Sequence, residues 1–195
     1  MNDIYVRGLW KSFGGKPVLA DFSARIPAGA ITCIMGPSGC GKTTFLRILL
    51  GLEFADAGSI EGIPKKISVV FQEDRLFEDF SVLSNCAAVL PGKPDRDRIA
   101  SLLTNLGLGD SLIKPVHSLS GGMKRRTAIA RALLAPGELL IMDEPFSGLD
   151  ENTKQAVLSC VRDAVRGKTL LFVTHDPSER QFLADQTVFF PSPAT

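Results

Sequence analysis

An excess of charge of either sign is missing from this sequence: 22 Lys and Arg face 21 Asp and Glu, leaving a formal net charge of +1 over 195 residues. A nucleic-acid footprint needs a clustered basic excess, so nucleic acid is not an expected partner. The densest basic run, Lys124-Arg125-Arg126, is short and is expected to be a solvated helix face. Cysteine is scarce, and Cys33, Cys40, Cys86 and Cys160 are scattered without a CxxC pair. That argues against a structural zinc site and a disulfide framework, and for a reducing compartment. No apolar run approaches the roughly 18 residues that a bilayer requires. Met1 to Tyr5 lack the basic and apolar regions of a signal peptide, so a cytoplasmic chain is expected, with any membrane span supplied by another subunit. Internal repeats and low-complexity segments are absent as well.

The length suits a single domain, residues 1–195, with enough chain to bury a core, and the hydrophobic fraction of 45% is ordinary for a globular protein. Ala30–Met35, Ile67–Phe71, Glu138–Met142, Thr169–Thr174 and Thr187–Phe190 are short apolar runs. Runs this continuous predict strands buried on both faces, as in a parallel sheet covered by helices. Thr43–Leu50, Met123–Leu134 and Glu151–Arg166 have helical composition. Residues 1–30 alternate short apolar runs with turns such as Gly14-Gly15-Lys16-Pro17, which predicts an antiparallel β layer. From about Asp74 the character changes: Pro91, Pro94 and Pro115 punctuate the chain, and Ile99, Leu102, Leu103 and Leu106 fit an amphipathic helix. A small helical insertion, about residues 74–134, is expected there. Pro191–Thr195 are expected to fray.

Gly36-Pro37-Ser38-Gly39-Cys40-Gly41-Lys42-Thr43-Thr44 matches the phosphate-loop pattern G-x-x-x-x-G-K-S/T, after a strand and opening a helix. The glycines let backbone N–H groups turn inward around phosphate oxygens, and the helix N-terminus adds partial positive charge. Lys42 supplies a point charge for the β- and γ-phosphates, and Thr43 offers a hydroxyl to Mg²⁺. Asp143 and Glu144 end the strand Leu139–Met142, at the edge where open α/β sheets bind ligands. Asp143 would hold Mg²⁺, directly or through water. Glu144 would act as general base on the attacking water, or orient it. Gln72 and His175 end two further strands and are expected at the same edge. There Gln72 could reach Mg²⁺ or the water, and His175 could donate to the γ-phosphate.

Ser120-Gly121-Gly122 opens another helix. Its bare amides make a second phosphate-ready end, although Ser120 is also a good N-cap. One phosphate loop has no need of a second such end within its own chain. A head-to-tail pair would have that need, with each copy's Ser120 end closing on the other copy's Lys42 end in a C₂ arrangement.

Together Gly36–Thr44, Gln72, Leu119–Met123, Leu139–Glu144, Ser147–Asp150 and His175 resemble the ATP-binding cassette of ABC transporters, in the family's order and over nearly the whole chain. The resemblance implies a P-loop α/β fold with a mainly parallel sheet, an N-terminal antiparallel layer and a small helical subdomain. It implies ATP and Mg²⁺ as ligands, with Ser120, Gly121 and Gly122 completing a partner's ATP site and Asp150 at the dimer interface. It also implies that Phe13 stacks on adenine, with Tyr5 and Trp10 as other candidates and core packing as the alternative for Phe13. Met123 in the signature is similar to the nitrate, sulfonate and taurine importers, whereas Leu76-Phe77-Glu78-Asp79-Phe80 departs from the Leu-Pro-Trp usual there. The expectation is an ATPase at the inner face of the cell membrane, dimerising on ATP to drive a permease through the Arg75–Phe80 loop, with a solute-binding protein in the full system. An ABC ATPase that regulates a membrane or cell-wall complex without moving substrate is the alternative. A small-molecule kinase or a GTPase leaves Leu119–Met123 without a role, and no Asn-Lys-x-Asp run is present.

Overall fold

The computed structural model describes residues 2–191. In chain order its strands are β1 (Ile4–Phe13), β2 (Lys16–Ile26), β3 (Ile31–Met35), β4 (Ala57–Glu61), β5 (Ile67–Val70), β6 (Leu139–Asp143), β7 (Thr169–Val173) and β8 (Gln186–Phe189). The helices are α1 (Lys42–Leu49), α2 (Val82–Ala87), α3 (Arg96–Asn105), α4 (Gly121–Leu134), α5 (Glu151–Ala164) and α6 (Pro177–Leu183). Five strands form one parallel sheet in the order β5-β6-β7-β3-β8. A second, antiparallel sheet has the order β2-β1-β4. The N-terminal layer therefore recruits β4, which the sequence hides because Ile60 is the one β-branched residue of Ala57–Glu61. Of the expected frayed tail, residues 192–195 lie outside the described residues.

The central strands are apolar without alternation because each face meets a different core. Leu140, Met142, Leu170 and Phe172 pack with the helices of one side. Leu139, Ile141, Leu171 and Val173 point the other way, into a core shared with β1, β2 and α1. Successive side chains of a strand face opposite sides, so double burial needs every position apolar. Truncating Phe172, which has no exposed surface, costs on the order of 3–5 kcal/mol by cavity formation.

Register is what positions the site. Val70 pairs with Met142, Asp143 with Val173, and Val173 with Ile34. Four strand ends are thereby level, and Gln72, Asp143, His175 and Gly36 emerge along one edge.

Residues between β5 and β6 are mainly helical. Ile99 and Leu103 of α3 are fully buried and Leu106 is nearly so, in keeping with the amphipathic spacing. Helix α2, cut short after Ala87, was not apparent from the sequence. Asn85 fixes it: its buried side chain accepts from Phe77 N–H at 2.9 Å and donates to the carbonyls of Phe77, at 3.0 Å, and Ser81, at 3.1 Å. An amide buried without such partners would be strongly destabilising. Helix α4 starts at Gly121 rather than Met123, because the Ser120 hydroxyl accepts from Met123 N–H and caps it. Asp150 and Asp176 likewise cap α5 and α6.

Candidate nucleotide site

Strand β3 hands the chain to α1 through Gly36–Gly41. Gly41, with φ 98°, is the residue before the first helical turn, and no side chain caps that turn. A Cβ on Gly41 would lie 2.7 Å from the Val18 carbonyl oxygen, so the residue needs both its conformation and its missing side chain. Lys42 folds back over the loop and donates to the carbonyls of Gly36 and Pro37, both at 2.7 Å. The ammonium is thus held within the turn that anions would enter.

A cavity of about 520 Å³ opens in front of this loop. Gly36, Ser38, Gly39, Gly41, Lys42, Thr43 and Thr44 line one side of it. Gln72, Asp143, Glu144 and His175 line the other. Thr43 donates its hydroxyl to Asp143 Oδ2 at 3.2 Å. Burial pushes the Asp143 carboxyl above the usual range, against the Thr43 hydrogen bond, and the neighbouring Glu144 carboxylate adds to the rise. His175 Nδ1 lies 3.6 Å from Glu144 Oε1, on a side chain that is 74% exposed.

Other expected residues stand apart. Cys40 is buried beneath the loop, with its sulfur 3.8 Å from Lys42 Nζ. Pro37 does not line the cavity, though its carbonyl holds Lys42. Phe13 is 47% exposed at the end of β1, outside the cavity and outside the core. Lys11 Nζ lies 5.0 Å from its ring centroid. Ser120, Gly121 and Gly122 do not touch the cavity; the two glycines line a separate hollow of about 360 Å³, shared with Gln72 and Glu144. Asp150 is exposed, and the Thr153 hydrogen bonds that make it a helix cap hold its carboxyl below the ordinary value.

The basic run is not a solvated face. Lys124 pairs with Glu78 at 2.8 Å, and Arg126 donates to the Leu106 carbonyl at 2.8 Å and the Gly107 carbonyl at 3.0 Å. Arg125 is buried. It donates to the Phe71 carbonyl at 2.7 Å, Asp74 Oδ1 at 3.1 Å and the Glu144 carbonyl at 2.9 Å. Helical spacing held the signal, since Arg125 shares one face with the buried Ala128, Ile129 and Ala132. A charge on an apolar stripe is either misplaced or partnered, and this one is partnered.

A phosphate loop facing an Asp-Glu pair across one parallel sheet, with a capped Ser-Gly-Gly helix end beside it, defines a P-loop ATPase of the cassette type. The family model described as ABC transporter matches residues 19–147, and the chain belongs to that family. It is 40% identical over 205 aligned positions to the Fe(3+) ions import ATP-binding protein FbpC of Pseudomonas fluorescens, covering 95% of this chain and 58% of that one. It is 39% identical over 187 positions to the aliphatic sulfonates import ATP-binding protein SsuB 1 of Paracoccus denitrificans, covering 94% and 77%. Among solved structures it matches a bacterial Atm1-family ABC exporter with ATP bound at a TM-score of 0.87 and 23% identity, over all of this chain and 38% of the exporter chain. That last likeness concerns the fold alone. The chain spans a little over half the length of the iron relative and well under half of the exporter.

Proposed function

We propose that this chain is the ATP-hydrolysing subunit of an ABC importer, working in pairs to drive a separate membrane permease. The observation that carries the reading is the convergence of Lys42, Thr43, Gln72, Asp143, Glu144 and His175 on one cavity from four strand edges. Backbone amides of Gly39–Thr43 and the Lys42 ammonium take the β- and γ-phosphates. The Thr43 hydroxyl and Asp143 carboxylate are adjacent hard oxygens, the donor set that suits Mg²⁺. Such an ion, when bound, offsets charge on the phosphate oxygens. Glu144 takes the proton of a water aligned behind the γ-phosphorus. The new P–O bond forms as the bond to the β-bridging oxygen breaks, releasing ADP and phosphate. His175 donates to the γ-phosphate oxygens, and Gln72 presents an amide at the far end of the row. Phe13, exposed at the edge of β1, stacks on adenine.

That the Ser120–Gly122 end lies outside its own chain's cavity supports a role in the partner's site. Among the described residues no helix is long and apolar enough to cross a membrane. Phe77 and Phe80, each about half exposed, give the loop after Gln72 an apolar surface that suits a permease, at the inner membrane face. Import is supported by relatives whose names include it, and a solute-binding protein would bring the cargo. Relatives named as aliphatic sulfonates import ATP-binding proteins accord with Met123.

Glu144→Gln is expected to lower ATP hydrolysis by roughly 10³-fold while leaving ATP binding intact, and to trap a dimer visible by light scattering. A Glu144→Gln protein that stays monomeric at saturating ATP and hydrolyses it normally would overturn the mechanism. For import itself, the chain reconstituted with its co-purifying polytopic protein should move solute when a binding protein is added. Stimulated hydrolysis without uptake would instead favour a regulator.

A further inference from the structure

Three non-glycine residues among those described hold a left-handed backbone: Asp21, Arg75 and Glu144. Two of them flank the site, with φ 46° each. A side chain in that region costs on the order of 1–2 kcal/mol, so something must hold it there. In both cases the carbonyl oxygen of the left-handed residue accepts from an arginine of α4. Arg125 Nη2 donates to Glu144 O at 2.9 Å, and Arg131 Nη2 donates to Arg75 O at 2.9 Å. Arg125 Nη1 also holds the Phe71 carbonyl at 2.7 Å, and Arg131 Nη2 reaches the Asp74 carbonyl at 3.3 Å. The loop carrying Gln72 and the turn carrying Glu144 are therefore gripped by one helix, whose exposed end is Ser120-Gly121-Gly122.

The Glu144 turn is fixed from both sides. Its N–H donates to the Val173 carbonyl at 3.0 Å, the last residue of β7. Its own carbonyl accepts from Arg125 Nη2 at 2.9 Å, the shorter of its two contacts, and from Ser147 N–H at 3.3 Å. Losing the Arg125 contact leaves the longer Ser147 bond alone to hold this peptide in the left-handed region, and so loosens the carboxylate's place beside His175.

We propose that Arg125 is a positioning residue for hydrolysis, clamping the Glu144 turn and the Gln72 loop to α4. Any movement of the Ser120 end then reaches both groups through one guanidinium. This rests on the ATPase reading above. Lys cannot replace Arg here, because a single ammonium does not span two carbonyls and the Asp74 carboxylate.

The test uses the full chain with Mg·ATP, as wild type, Arg125→Gln and Arg125→Lys. Both variants should lose kcat, by on the order of 30- to 100-fold for Gln, with the affinity for a fluorescent ATP analogue unchanged within about 3-fold. In a Glu144→Gln background, Arg125→Gln should cost far less than in wild type, since the base it positions is missing and only its hold on the Gln72 loop remains. Amide hydrogen exchange, read without nucleotide, should quicken in 71–75 and 144–149 and not in β3. Unchanged kcat overturns the proposal. So does a parallel fall of kcat and affinity, a full additional loss in the Glu144→Gln background, or unchanged exchange. If Arg125→Gln fails to fold, Arg125→Lys carries the same readouts. A wild type that neither binds nor hydrolyses ATP sinks the ATPase reading instead, and the exchange data then decide the clamp by themselves.

Discussion

Two helix ends in this molecule offer bare amides to solvent, and they are finished in opposite ways. The end of α1 is preceded by Gly41, has no side-chain cap, and is backed by Lys42. The end of α4 is closed by its own Ser120 hydroxyl, at a long 3.4 Å, and the nearby Lys124 ammonium is already paired with Glu78. An open end with a buried ammonium is organised for a ligand before the ligand arrives. A weakly capped, exposed end is satisfied alone and costs little to reopen. The first suits a site that must bind by itself, the second a surface that closes only when a second body presents an anion to it.

The contrast is broken most directly by exchanging what each end lacks. Lys42→Ala should weaken ATP binding by at least about 100-fold in a fluorescence titration, since it removes a buried charge-assisted contact. Ser120→Ala should leave single-chain affinity within about 2-fold while costing roughly 1 kcal/mol of helix capping. Equal losses from the two changes would mean that both ends serve one site in one chain. Backbone demands should separate the ends next. Gly41→Ala meets the Val18 carbonyl and a positive φ, and should lower stability in urea by about 1–3 kcal/mol. Gly121→Ala meets nothing within 4 Å and has no positive φ, so it should gain about 0.4–1 kcal/mol.

The smallest effect lies at a third kind of end, where α6 is capped by a carboxylate. The Lys154 hydrogen bond at 2.9 Å, with help from Ser178, pulls the Asp176 carboxyl far below its usual value. A depressed acid contributes stability above its unfolded value, near 3.9, and that contribution is lost as pH falls through the folded value. Lys154→Met should therefore cost about 0.5 kcal/mol or less at pH 7, because the pair is partly solvated. The difference should shrink towards pH 3 in urea titrations.

Much of the site was legible because its chemistry lies in short contiguous motifs at strand ends. Gly36–Thr44, Asp143 and Glu144 need only a strand before them, and double burial makes those strands conspicuous. Gln72 and His175 were locatable for the same reason. Three features were hidden, each by a long-range cause. Strand β4 owes its existence to pairing with β1 and not to its own composition. Helix α2 is set by Asn85, whose partners are carbonyls rather than residues of a recognisable type. Arg125 sits in a run whose local charge density points to the surface, while its helical phase puts it on the buried face. Its neighbours Ala128 and Ile129 held the correction, and the carbonyls it grips leave no trace in sequence at all.

The level strand ends carry a consequence for how this molecule tolerates change. Adjacent strands lie roughly 4.8 Å apart, so β5, β6, β7 and β3 lay out their terminal groups along a scale about 14 Å long. A substitution behind the scale alters packing, yet every mark on it stays put. One residue added inside β6 would advance Asp143 and Glu144 by about 3.3 Å and turn Leu139–Met142 to the wrong cores at the same time. One residue added at the exposed turn Pro91–Pro94 moves none of the four marks. Changes of length, sorted by where they fall, should map the site more sharply than changes of residue.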